Sequence, residues 1–163
     1  MYAFQTSLEH ISKNSEGSLI FHYHNYDRDY ENDGYLDEYE SNSFTLRGES
    51  EIKYNEKLSY GFGGEYKHDW GEFENRGSYS ASTKGYVDNT AVFANLGYKA
   101  FEDTTISFYG RTGKHKTTDQ NSSYKTNITQ NINNFKFGLT HSTGLKNPSL
   151  YELYGTDNYG YSG

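Results

Sequence analysis

The sequence predicts an all-β protein: an antiparallel, up-and-down sheet of the kind that forms a transmembrane β-barrel wall. Three observations predict it. Apolar and polar residues alternate with period two along most of the chain, and helical periodicity is almost absent. Short polar connections alternate with long ones, so the short ones gather at one end and the long ones at the other. Leu, Ile, Val and Phe make up only about 17% of the 163 residues, yet Tyr occurs 18 times and aromatics reach 18%.

The third observation excludes as much as it implies. So few aliphatic residues with a net charge of -7 would normally mean disorder, but disordered chains are poor in aromatics. A mean hydropathy of -1.01 excludes a helical membrane protein. The longest apolar runs, at 19–21 and 91–94, fall far short of the ~20 residues a spanning helix needs. Zero Cys excludes disulfides and Cys-based zinc sites. The excess of 22 acidic over 15 basic residues argues against nucleic acid as a partner. Residues 1–14 carry neither a basic n-region nor an apolar h-region, so they do not read as a signal peptide.

Eight strands follow in order. The first spans about 2–12, with Tyr2, Phe4, Thr6 and Leu8 on one side, and the chain turns over 13–17. The second spans about 18–26, with Leu19, Phe21 and Tyr23 opposite His22 and His24. The third sets Phe44, Leu46, Ile52 and Tyr54 against Arg47, Glu49, Glu51 and Lys53. A polar turn at 55–57 leads to the fourth, 58–70, the clearest of all. Its faces read Leu58, Tyr60, Phe62, Gly64, Tyr66, His68, Trp70 and Ser59, Gly61, Gly63, Glu65, Lys67, Asp69.

The fifth strand sets Val92, Ala94, Leu96 and Tyr98 on one face and turns at 101–103. The sixth sets Ile106 and Phe108 against Ser107, Tyr109 and Arg111. The seventh sets Tyr124, Thr126 and Ile128 against Lys125, Asn127 and Thr129, then turns near Asn133 and Asn134. The eighth sets Phe135, Phe137, Leu139 and His141 against Lys136, Gly138, Thr140 and Ser142. The long connections are 27–42, 71–89, 116–122 and 144 onward.

Burial separates a membrane wall from a water-soluble sandwich. A sandwich needs two apolar faces meeting in a core. Here the second face of the third and fourth strands carries Arg47, Glu49, Glu51, Lys53, Glu65, Lys67 and Asp69, and such a face must meet water. A wet lumen on one side and lipid on the other satisfy both faces. Trp70 and Tyr66 toward one end, with Tyr54 and Tyr98 toward the other, fit aromatic girdles at the two interfaces.

The segment 144–155 reads GLKNPSLYELYG and follows the outgoing strand FKFGLTHST. It resembles a motif of TonB-dependent outer-membrane receptors, the cobalamin and siderophore importers. Gly144, Lys146, Pro148, Ser149, Leu150, Glu152, Leu153, Tyr154 and Gly155 match, while Leu145 and Asn147 replace the more usual aromatic and Ala. The only Pro of the chain falls on the motif's Pro. The resemblance implies a barrel of 22 strands, of which residues 1–163 supply about eight, with no plug domain. It implies the bacterial cell outer membrane, contact with lipid, and passage of a small-molecule nutrient. Coupling to the TonB system would run through a plug that this stretch does not contain. Neither an enzymatic activity nor a cofactor is expected. The alternative is a complete small eight-stranded barrel with a structural or adhesive role, since eight strands suffice to close.

Candidate sites are few. Residues 29–40, DYENDGYLDEYE, place Asp29, Glu31, Asp33, Gly34, Asp37 and Glu40 near the spacing of a calcium loop, and equally read as an acidic surface loop. His22 and His24 have metal-ligand character but no visible third ligand; a wet polar face accounts for them, and no metal site is expected. His10, His115 and His141 are scattered. His68, Asp69 and Asp88 are the only conceivable acid–base set, and nothing in the sequence fixes their geometry. Gly61, Gly63 and Gly64 lie within a strand, where Gly marks a bend or an aromatic ring packed over the gap. Tyr79, Tyr86, Tyr151, Tyr154 and Tyr159 are candidate ligand contacts or loop-packing residues; the ligand itself is not legible.

Overall fold

The computed structural model describes residues 1–32, 35–76, 80–144 and 146–155. The chain forms one sheet of eight antiparallel strands in sequence order, each paired with the next. The strands are β1 (Tyr2–Ile11), β2 (Ser15–Asn32), β3 (Tyr35–Lys53), β4 (Leu58–Arg76), β5 (Ala81–Phe101), β6 (Thr104–His115), β7 (Thr118–Ile132) and β8 (Phe135–Ser142). A single helical turn, α1 (Leu150–Tyr154), follows. The sheet is not closed: β1 and β8 are its two edges. The closed eight-stranded barrel is therefore not the arrangement this chain adopts.

The register carries the alternation across every strand pair. Leu8, Leu19 and Gly48 stand side by side, as do Tyr60, Leu96 and Phe108, and as do Tyr98, Ile106, Ile128 and Leu139. A one-residue slip at any pair would send that stripe to the opposite face. The register shifts only at the ends of two ladders, between Lys99 and Phe101 and between Lys114 and His115, so one continuous apolar face still runs from β1 to β8.

The turns explain why the register holds at one end. Asn55 accepts hydrogen bonds through Oδ1 from the backbone N–H groups of Lys57 and Leu58, closing the β3–β4 turn. Ser12 and Ser15 bond each other across the first turn. Asn133 takes a positive φ of 51°, the left-handed conformation that a two-residue hairpin turn requires and that Asn tolerates.

The long connections are a correction. Residues 27–42, 71–89 and 116–122 are largely strand, not loop: β2, β3, β4 and β5 run to 18, 19, 19 and 21 residues. Beyond Trp70 the apolar stripe gives out, so period two is invisible, yet the ladders continue. Cross-strand charges and rings hold them. Arg76 bridges Glu38 on β3 at 2.9 Å and Glu74 at 3.0 Å, Lys84 pairs with Glu72 at 2.8 Å, and Tyr39 meets Phe73 edge-on with centroids 4.7 Å apart.

Burial inverts the naive pattern. On β5, Val92 is 58% exposed while Phe93 beside it is 7% exposed. The buried apolar residues Phe73, Val87, Ala91 and Phe93 all lie on the charged face. The sheet curls toward that face: Glu9 of β1 and Asn95 of β5, four strands apart, line one concave cavity there. Curvature crowds the inside of the curl, and a few apolar groups fill the space under the charges.

Candidate functional site

The concave face is organised by Glu65. Its Oε1 accepts from Arg111 Nη2 at 2.7 Å, and its Oε2 lies 3.5 Å from Arg47 Nη1. Arg47 also grips Glu49 at 2.7 Å, and its guanidinium stacks over the Phe93 ring, 4.6 Å from the centroid. Arg111 belongs to β6 and must cross β5 to reach β4. Small residues clear its path: Ala91 stands between Glu65 and Gly113 in the register. Phe93 lies across Gly63, where a Cβ would meet its ring at 2.5 Å. Of the three strand glycines only Gly63 receives a packed aromatic; Gly61 receives the Asn95 amide, and Gly64 meets nothing closer than the Ala91 carbonyl.

An aromatic band crosses the apolar face where its stripe ends. Phe44, Tyr66, His68, Trp70 and Tyr86 pack in sequence, with His68–Trp70 centroids 5.1 Å apart and His68–Tyr86 5.8 Å apart. His68 Nδ1 sits 2.7 Å from Asp88 Oδ1, and the Tyr66 hydroxyl donates to the same oxygen at 2.7 Å. Of the conceivable acid–base set, His68 and Asp88 are therefore together. Asp69 is not: it projects from the other face and pairs with Lys67 at 2.7 Å. The Asp88 carboxylate acts as a clasp between two neighbouring rings of β4.

The 144–155 motif folds onto the long-hairpin end. Ser149 caps α1 by accepting from the Glu152 N–H, and the Glu152 carboxylate accepts from the Ser149 N–H at 2.7 Å, a capping box. Lys146 Nζ lies 2.6 Å from Glu152. That ammonium and the Ser149 bonds hold the Glu152 carboxyl down at about 2. Leu150 covers Gly71 and Tyr154 covers Gly85, positions with no room for another side chain. Tyr151 stacks on Tyr39 at 5.1 Å and leans on Phe73 at 5.9 Å. Lys116 Nζ sits 3.1 Å from the Tyr86 ring centroid and donates to the Tyr86 carbonyl at 3.0 Å. Asn121 of β7 donates to the Asn147 side chain at 2.9 Å. The motif is thus a strap joining β7 to the β4–β5 hairpin. Tyr86, Tyr151 and Tyr154 serve it as packing residues; Tyr79, Leu145 and Tyr159 lie outside the described residues. The S-x-x-E spacing was the signal for this helical turn, and a strand rhythm read alone passes over it.

The remaining candidates fall in two places. Residues 29–40 are the upper β2–β3 hairpin, with Asp29 opposite Glu38 and Tyr30 opposite Asp37; Asp33 and Gly34 lie outside the described residues. In this register Asp29, Glu31 and Glu40 share one face and Asp37 lies on the other, spread along extended strands, whereas a calcium loop wraps its ligands round one point. Several of these carboxylates are already engaged. Asn75 donates to Asp37, and Arg76 holds Glu38 and Glu74. Desolvation, with Glu74 adjacent, raises the Glu38 carboxyl, while the Arg76 bond lowers Glu74. His22 and His24 do share the charged face, with ring centroids 5.7 Å apart. His115 is buried and bonds Thr117, and His141 packs on Tyr124. Among the described residues no group of three or more His, Asp or Glu side chains is placed to hold a metal.

Compared with known proteins, the chain matches no family model, no curated protein and no solved structure. The fold and the site define an open, curved, up-and-down β-wall with one apolar and one charged face.

Proposed function

We propose that the chain is a segment of the barrel wall of a TonB-dependent receptor in the bacterial outer membrane, one that imports a scarce nutrient such as a siderophore or cobalamin. The observation that carries this reading is the uncovered apolar face. Phe62, Val92 and Leu139, on three different strands of it, are 57, 58 and 71% exposed. Water-soluble proteins rarely leave so wide an apolar patch bare, and lipid is the solvent that suits it.

Other features support the same reading. A tilted strand of 9–11 residues crosses a bilayer. β1 has 10 residues, and the strands of 18 to 21 residues have length to spare beyond the membrane at the long-hairpin end. Trp70 and Tyr86 mark one interface, and Tyr54 and Tyr98 the other. The 144–155 motif lies on the long-hairpin side, where the receptor resemblance requires an extracellular segment. In this reading the Arg47–Glu65–Arg111 face lines the wet interior, and the hairpins with α1 meet the nutrient outside the cell. The wall binds and guides, energy enters through a plug, and no bond of the nutrient is made or broken by these residues.

The single tryptophan supplies the test. In lipid vesicles, Trp70 fluorescence should be quenched by labels at headgroup depth and much less by labels at the bilayer centre. A chain that stays in the aqueous phase with Trp70 unquenched would overturn the membrane reading. The receptor assignment is checked by flanking DNA, which should encode a plug-type domain upstream and further alternating strands.

A further inference from the structure

We propose that His22 and His24 together form a zinc-binding pair on the concave face of β2. This goes beyond the receptor reading and stands without it. Both imidazoles are half-buried and project from the same side of one strand, with centroids 5.7 Å apart and ring planes at 35°. Two imidazoles on one tetrahedral zinc, with Zn–N near 2.0–2.1 Å, would place their centroids about 5.2 Å apart. The observed spacing is therefore within about half an ångström of that value, and rotation about χ would turn one nitrogen of each ring toward a common point. A square-planar ion with the two rings at 90° would ask for about 4.5 Å, so the spacing favours the tetrahedral ion.

The surroundings suit a cation. In the register His22 faces Gln5 and Thr45, and His24 faces Ala3 and Ser43, so no Lys or Arg is paired with either ring. Ser43, opposite His24, is 3% exposed, and its Oγ has no hydrogen-bond partner. A buried hydroxyl without a partner is costly. A water held on the zinc would give it one. The pair supplies two ligands, so two positions stay open for water or for donor atoms of a bound molecule.

The test uses the full chain refolded in detergent, with Zn2+ as the probe and Co2+ as its spectroscopic stand-in. The expected result is one zinc per chain, an intense tetrahedral-type visible band with cobalt, and at least tenfold weaker binding in His22→Gln and in His24→Gln. His141→Gln should bind as the parent does. Circular dichroism of each variant confirms the sheet. Absence of zinc binding, an octahedral-type cobalt spectrum, or undiminished affinity in the His22→Gln/His24→Gln double variant would each overturn the proposal.

Discussion

Arg111 and Glu65 are joined at 2.7 Å although a whole strand separates them. The bond spans β5 on its concave side, and Arg47 approaches the same carboxylate from β3. One side chain therefore ties three strands together, β3, β4 and β6. The Glu65 side chain is 17% exposed and the Arg111 side chain 25%, so water competes for the bond only weakly.

Removing the carboxylate should leave Arg111 without its 2.7 Å partner, while Arg47 keeps Glu49. Glu65→Ala is expected to cost about 1–3 kcal/mol, the range for a partly buried charge pair that loses one member. Urea unfolding in detergent measures it. In a double-mutant cycle with Arg111→Ala the two losses should fall well short of additive. Additive losses would mean that the bond contributes nothing.

Two adjacent glycines should respond very differently to the same change. A Cβ on Gly63 would meet the Gly48 carbonyl and the Phe93 ring at 2.5 Å; one on Gly64 would meet nothing closer than the Ala91 carbonyl at 3.6 Å. Gly63→Ala is expected to cost about 1–3 kcal/mol through overpacking. Gly64→Ala should change the unfolding midpoint little. Equal effects would show that Phe93 does not rest on the glycine.

Acid should release the strap at a defined point. The folded Glu152 carboxyl lies at about 2, below the ordinary value near 4.3. A depressed carboxyl contributes stability above its unfolded value and loses it as pH falls through the folded one. The α1 cap should therefore be intact above about pH 4.5 and weaken as the pH drops toward 2. Carboxyl NMR of labelled Glu should show one group titrating at about 2, and both Lys146→Ala and Ser149→Ala should raise it. A Glu152 that titrates with the other glutamates would contradict the capping geometry.

The two faces should differ in their tolerance of charge if lipid covers one of them. Val92→Lys, on the apolar face, is expected to cost about 2–4 kcal/mol of folding into vesicles. Ser107→Lys, on the charged face, should remain within about 0.5 kcal/mol of the parent. Urea titration of vesicle-inserted protein compares them. Equal tolerance would argue against a lipid-covered face.

Legibility followed the apolar stripe. β8 begins and ends where alternation places it, and β1 and the start of β4 agree within a residue, because Phe137 or Leu58 must face one way and its neighbours the other. Where the stripe stops at Trp70, the reading stopped too. The strands did not, because Arg76, Glu38, Glu72 and Lys84 pair across them with both faces polar. Phe93 was hidden for the opposite reason. Its position on the charged face is plain from the period, but its burial depends on curvature and on Gly63, which are properties of the whole sheet. The Glu65 bridges depend on a registration across three strands that no local spacing reveals.

The open edges carry a consequence of parity. In an up-and-down sheet of eight strands, β1 and β8 run in opposite directions, and the outer ends of both meet the long-hairpin side. Any set of strands that completes the ring, from whatever source, must therefore be even in number. It must also leave and return on that same side. An odd complement would bring two parallel neighbours together at the seam, with no hairpin able to join them.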